Sequence, residues 1–318
     1  MFDCHYDLLT YILIKKDNPE FLKTYCTKVY TKNNIIGGIF NLFYMSEKEM
    51  KEEIGITKNQ INIIDNLRKA KEYIQKYSLL SNDITYIFGI EGLDYLENIG
   101  DIDTLYELGL RSTNPVWNNK NKFGSGINTN EGLTRLGQKL IEKLIQKKIA
   151  IDLSHSNEQT FWGIIKICET MKNQGYNPIV FASHSNVKTL CNIKRNLTDE
   201  QMLAIKNLNG IIGITSIKRF CIKDVDVNDK NIDFVQKYID HINYLKNLLG
   251  NVDNISVATD DMKYYYIEPE YYQNANIFSH DNIKKPLTIA LKNNNYTEKE
   301  INQILNTNFK EKILKALK

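Results

Sequence analysis

Long apolar runs are missing from this sequence. No stretch of about 18 apolar residues occurs, so no membrane-spanning helix is expected. The apolar segment LLTYILIKK lies near the start, but it follows Asp3, His5 and Asp7 and no cleavage site follows it, so it does not read as a signal peptide. Cysteine motifs are missing too. The five cysteines (Cys4, Cys26, Cys168, Cys191 and Cys221) are scattered, odd in number and form no CxxC, and they read as reduced, mostly buried thiols of a cytoplasmic protein. Neither sign of charge is in excess. With 41 basic and 38 acidic residues the formal net charge is +3, which gives no reason to expect nucleic acid or a membrane as partner. No Ser/Gly/Pro-rich linker, internal repeat or low-complexity tail interrupts the chain, so one domain over residues 1–318 is expected. What remains is 42% hydrophobic and 25% charged, the balance of a soluble globular protein. The many Asn, Ile, Lys and Tyr residues reflect codon bias rather than function.

Short β-like runs alternate with longer helical patterns. The runs are MFDCHYD (1–7), IGGIFNLFYM (36–45), ITYIFGIEG (84–92), a weaker LYELGLRST (105–113), IAIDLSH (149–155), PIVFASHS (178–185), GIIGITS (210–216) and NISVATDD (254–261). Between them, LTRLGQKLIEKLIQKK (133–148) places Leu136, Leu140, Ile141, Leu144 and Ile145 at helical spacing. Ser46 with Glu49, and Thr198 with Gln201, have the spacing of capping boxes, and the second helix should end near Asn209 and Gly210. The last stretch, 296–317, reads as helix. Strand–helix alternation means a parallel sheet, and eight strands in a chain of this length predict a closed (β/α)8 TIM-like barrel, an α/β fold with C-terminal helices.

In such a barrel the active site lies at the C-terminal ends of the strands. Ionisable residues stand at five of those ends: His5 with Asp7, Glu91, His155, His184 and Asp260. His5 and Asp7 are two apart, a spacing that puts both on one face of a strand. Imidazole and carboxylate are ordinary zinc ligands, a carboxylate such as Glu91 can bridge two ions, and His155 with His184 could complete the second. A pair of metals about 3.5–4 Å apart holds a hydroxide and polarises a carbonyl. Taken singly, each residue has an ordinary structural reading, as a satisfied strand histidine or a helix-capping acid. His241, in an amphipathic helix, and His280, in a loop, look structural, as does Cys4, a small strand residue.

These residues sit in motifs that resemble the membrane (renal) dipeptidase family, binuclear zinc peptidases of the metal-dependent hydrolase superfamily. DCHYDLL is similar to the family's opening His-x-Asp motif and GIEG to its bridging-glutamate motif. The long stretches 132–162 and 178–214 are similar to its longest signatures, and NTNFKEKI to its C-terminal helix. The resemblance implies two zinc ions per chain, one held by His5, Asp7 and Glu91 and the other by Glu91, His155 and His184. It implies that Arg195 binds the terminal carboxylate of a small dipeptide-like substrate, that Asp260 carries protons, and that a metal-bridging hydroxide attacks the peptide carbonyl. It makes a homodimer the default assembly. Two departures stand out. Trp117 falls where some members carry a substrate-contacting histidine, and the usual DFDG after strand eight is Asp260, Asp261, Met262 and Lys263 here. Five tyrosines follow (Tyr264, Tyr265, Tyr266, Tyr271 and Tyr272), as a lid over the mouth or as a codon-biased surface loop. Besides a dipeptidase, two readings stay open: a specialised amide or peptide-conjugate hydrolase of a biosynthetic or thiol-conjugate pathway, and a metal-bound but catalytically silent binding protein.

Overall fold

The computed structural model describes residues 1–43, 62–261 and 274–318. Eight strands form one parallel sheet in chain order: β1 (Phe2–Tyr6), β2 (Gly37–Phe43), β3 (Thr85–Glu91), β4 (Leu110–Asn114), β5 (Ala150–Asp152), β6 (Val180–Ala182), β7 (Ile211–Thr215) and β8 (Ile255–Ala258). The last strand returns to the first. There Asp260 N donates to His5 O at 3.1 Å, and Thr259 N donates to the Asp3 carboxylate at 2.9 Å. This nearly closed ring with helices outside is the (β/α)8 barrel that the alternation predicts. Seven of the strands are buried along most or all of their length; β3 is partly open at its start. Covered on both faces, they read as continuous apolar runs rather than alternating ones.

Helices fill the crossovers among the described residues: α1 (Leu8–Ile14), α2 (Pro19–Val29), α3 (Ile63–Tyr77), α4 (Asp101–Leu108), α5 (Arg135–Gln146), α6 (Glu158–Asn173), α7 (Asp199–Asn207), α8 (Lys218–Cys221), α9 (Phe234–Leu249), α10 (Lys284–Asn293) and α11 (Glu298–Asn302). Side-chain caps start most of the long ones. Asn157 accepts from Thr160 N, and the predicted Thr198–Gln201 capping box is formed. The α7 helix ends as expected, with Asn209 at φ +59.

Two expectations need correction, and a third holds with a change of winding. The weak fourth run is half helix. Asp101 and Asp103 favour the first turn of α4, and Gly109 at φ +113 stops it, so β4 begins only at Leu110. Leu136 does not join the buried stripe of Leu140, Ile141, Leu144 and Ile145; it is 40% exposed, one residue into α5 and short of the core. The C-terminal segment is helical as expected, though not as one α-helix. After α11 it winds as π-helical turns at Gln303–Thr307 and Lys310–Leu314. That path packs the Phe309 ring on Phe2, centroids 5.1 Å apart, in a core cluster with Ile39, Phe181 and Ile211 from the strands. Burying one such phenylalanine contributes roughly 1.5–3 kcal/mol.

All five cysteines are buried and unbridged. Among the described residues no helix is long and apolar enough to cross a membrane. The Ser46–Glu49 cap, the Met262–Lys263 departure and the tyrosine-rich stretch lie outside the described residues.

Candidate metal centre

The polar residues expected at strand ends converge at one end of the barrel. His5 is in β1. Asp7 is one residue past it, at the N-cap position of α1, so strand alternation does not explain the pair; yet Asp7 Oδ1 lies 3.5 Å from His5 Nε2. Glu91 is the last residue of β3. Gly92 behind it turns at φ +80, and a Cβ there would sit 3.1 Å from the Cβ of Trp117. Glycine therefore permits both the turn and the close approach. His155 stands three residues past β5 at φ +69, His184 two past β6, and Asp260 two past β8 at φ +44. Left-handed backbone costs a non-glycine residue roughly 1–3 kcal/mol and is held only where the surroundings impose it. For Asp260 the hydrogen bond to His5 O is one such restraint.

Glu91 is the hub. Its Oε1 is 2.7 Å from His155 Nε2 and 3.3 Å from His184 Nε2, and its Oε2 is 3.5 Å from His5 Nε2. Among the described residues three groups bring ligand atoms within 4.8 Å of one another: His5, Asp7 and Glu91; Glu91, His155 and His184; and His5, His184 and Asp260. The donor set fits a metal. His5 Nε2 and Glu91 Oε1 are buried with no hydrogen-bond partner, which is costly for polar atoms unless an ion takes them up. His155 Nδ1 lies 2.7 Å from Asn118 Oδ1 and donates to it, so its Nε2 lone pair faces the cluster. His155 Nε2 and His184 Nε2 are 2.9 Å apart, two acceptors aimed at common space.

Charge follows the same plan. Burial, then Arg195, pushes His155 down to about 4, and burial with His5 and Arg195 holds His184 well below the usual histidine range. Both are then neutral, the form that ligates. Burial works against ionised Glu91, but His5 and His155 outweigh it and hold its carboxyl well below the usual range. Burial alone would lower His5; Glu91 and Asp7 reverse that and hold it well above the usual range. Burial and Glu91 push Asp7 up. The proton on His5 therefore competes with a cation for Nε2. Because the His5 value is raised, neutral pH lies on its protonated side, so metal uptake at pH 7 should release protons and affinity should weaken as pH falls. Titration calorimetry in buffers of different ionisation enthalpy reads this directly. Identical apparent enthalpies in all buffers would contradict it.

The cluster floors a cavity of about 320 Å³, within the size range of small-molecule pockets. Phe43, Trp117, Ile127, Ile217, Phe220 and Val227 give it an apolar wall. The Trp117 ring is 5.1 Å from Phe43 and 5.8 Å from His155. Arg195 is not the helix-flanking surface charge that sequence leaves open. It is buried, with its guanidinium over the Phe220 ring at 5.2 Å. Its Nη2 is 3.1 Å from His155 Nε2 and donates to His184 O at 3.2 Å. Burial, partly offset by His5, pushes Asp260 up to about 6. Asp261 also lines the cavity, and it adds to the upward push that burial gives Tyr6, Tyr25 and Tyr30.

Histidines 241 and 280 stay outside the cluster, as expected. His241 Nδ1 accepts from Val187 N at 3.1 Å, and His280 Nδ1 lies 2.6 Å from the Tyr25 hydroxyl. The sequence reading missed Asn118, Phe220, Asp152 and Ser183. Asp152 and Ser183 stand within the DLSH and ASHS segments, a few residues from the histidines; nothing local singles out the other two.

A family model described as membrane dipeptidase, peptidase family M19, matches residues 1–317. The chain belongs to this family. An M19 protein implies a metal, and the residues present suit one. The chain is similar to an uncharacterized protein of Acinetobacter calcoaceticus, with 37% identity over 172 residues, 51% of each chain. It spans about half the length of the curated relatives it matches. Its fold is that of a solved M19 metallopeptidase, dipeptidase AC (TM-score 0.76, 20% identity, covering 99% of this chain and 98% of that one). It is also that of a metallopeptidase from Rhodobacter sphaeroides liganded with a phosphinate mimic of the dipeptide L-Ala-D-Ala (TM-score 0.74, 20% identity, 99% and 98%).

Proposed function

We propose that this M19 chain is a binuclear zinc dipeptidase acting on dipeptides with a free C-terminal carboxylate. The observation that carries the reading is the convergence of His5, Asp7, Glu91, His155 and His184 at a dipeptide-sized cavity, which all of these but His5 line together with Arg195. His5, Asp7 and Glu91 would hold one ion and Glu91, His155 and His184 the other, with Glu91 bridging. When bound, the metals supply Lewis acidity, polarising the scissile carbonyl and acidifying the attacking water. The chain does the rest. Arg195 presents a planar, permanently charged fork to the substrate carboxylate and so fixes which bond lies over the floor. Its present contact with His155 Nε2 uses a lone pair that the metal would claim, which frees that N–H for substrate. Asp260, at about 6, is ionised at neutral pH yet basic enough to take a proton from water and return it to the leaving amine. The Trp117 face and the apolar wall exclude water around the substrate side chains.

Elemental analysis of protein purified without chelators should give two divalent ions per chain. A value reproducibly below one after zinc reconstitution would sink the binuclear site. On the same sample, a panel of dipeptides with L- and D-residues at the C-terminal position tests turnover, since the Rhodobacter relative binds a mimic with D-Ala there.

A further inference from the structure

Behind the metal-facing histidines lies a buried carboxylate–hydroxyl pair that the proposed reaction does not use. Asp152 ends β5 and Ser183 follows β6, and both are buried. Asp152 Oδ1 accepts the backbone N–H groups of Ser154 (3.0 Å) and Ser183 (2.9 Å). Its Oδ2 accepts the Ser183 hydroxyl at 2.5 Å. A carboxylate with three donors aimed at it acts as an acceptor, so the one proton of the hydroxyl is committed to Asp152. The serine oxygen then has only lone pairs to offer elsewhere. Two imidazole nitrogens meet it: His184 Nδ1 at 2.5 Å and His5 Nδ1 at 3.2 Å. Each must bring the hydrogen. The Asn41 amide nitrogen stands 2.9 Å from His5 Nδ1; amide O and N exchange by a half-turn, and in the turned form the oxygen is a second acceptor for that N–H.

We propose that Asp152, acting through Ser183, is a positioning residue that holds both His5 and His184 as Nδ1–H tautomers, with their Nε2 lone pairs turned to the metals. This rests on the binuclear reading above. One of these histidines belongs to each metal trio, so a single hydroxyl sets both halves of the site. His155 is set separately, by Asn118. Outer partners of this kind typically change metal affinity by 10–100-fold.

The arrangement separates three variants. Ser183→Ala removes the shared acceptor. Asp152→Asn keeps the shape but can turn an amide N–H toward Ser183, so that the hydroxyl O–H donates to His184 Nδ1 instead and forces the Nε2–H tautomer that cannot ligate. Asn118→Ala touches only His155. Zinc affinities by chelator competition should fall roughly 10–100-fold at both sites for Ser183→Ala and Asp152→Asn, with the smaller loss at the His5 site for Ser183→Ala because Asn41 remains. Asn118→Ala should weaken one site alone. Folded Ser183→Ala and Asp152→Asn proteins, judged by thermal melting without metal, that bind two ions as tightly as wild type overturn the proposal. Independently of any variant, ¹⁵N spectra of the histidine rings in metal-free wild type should show His184 neutral and protonated at Nδ1. A neutral His184 protonated at Nε2 overturns the proposal even where a variant fails to fold. Wild type that takes up no zinc overturns the binuclear reading, and this inference with it, a result distinct from wild-type binding with insensitive variants.

Discussion

Asp260→Asn should fold, keep both metals and lose about 10²–10⁴ in kcat, the usual worth of a positioned acid–base group, while KM changes little. The substitution keeps the volume and removes the basicity. Asp260 sits at the cluster, its carboxylate grouped with His5 and His184, and burial has moved it toward neutral pH. The working form takes a proton and must be ionised. In the wild type kcat/KM should therefore fall as pH drops through about 6, and in Asp260→Asn that acidic limb should disappear. Asp261→Asn is the control. Strand alternation cannot choose between these neighbours, because β8 ends at Ala258 and Asp260 has φ +44. Grouping can: Asp260 falls with His5 and His184, whereas Asp261 adds to the field on the tyrosines around Tyr25. A silent Asp260→Asn beside a dead Asp261→Asn would move the proton carrier by one residue.

Arg195→Ala should lower kcat/KM for dipeptides by about 30–150-fold, equivalent to about 2–3 kcal/mol for a charge-assisted contact, and far less for the matching C-terminal amides. The guanidinium is buried at the cavity, so the contact is made away from bulk water. Its loss has a second signature. Arg195 lowers Asp260, so without it the Asp260 carboxyl should rise further and the acidic limb of the pH profile should move up. Equal losses on acids and amides would remove the assigned role.

The barrel and the polar residues at its strand ends were legible because both depend on short-range pattern. Buried parallel strands are unbroken apolar runs, and His155 and His184 come straight after two of them. Less was legible where the chain's path decides. Asp7 reaches His5 from a helix cap, and the fourth strand hides behind a helix that shares its apolar letters. Asp152 and Ser183 meet across neighbouring strands 31 residues apart in sequence, and Arg195 becomes a pocket residue only because Phe220 and the loop after β6 enclose it. No window of sequence contains such pairs.

The seam where β8 meets β1 has a consequence for the order of events in biogenesis. His5 and Asp7 leave the ribosome more than 250 positions before Asp260, yet the backbone of Asp260 is tied to that of His5. The five proposed ligands come from the ends of β1, β3, β5 and β6, so an ion held by them would tie the first strand to the middle of the ring, while the seam itself waits on the slow meeting of distant segments. At a free concentration a thousand times its dissociation constant such an ion would add about 4 kcal/mol to the folded barrel. Release of metal should then loosen the hold of the first strand on the middle of the ring, not the seam.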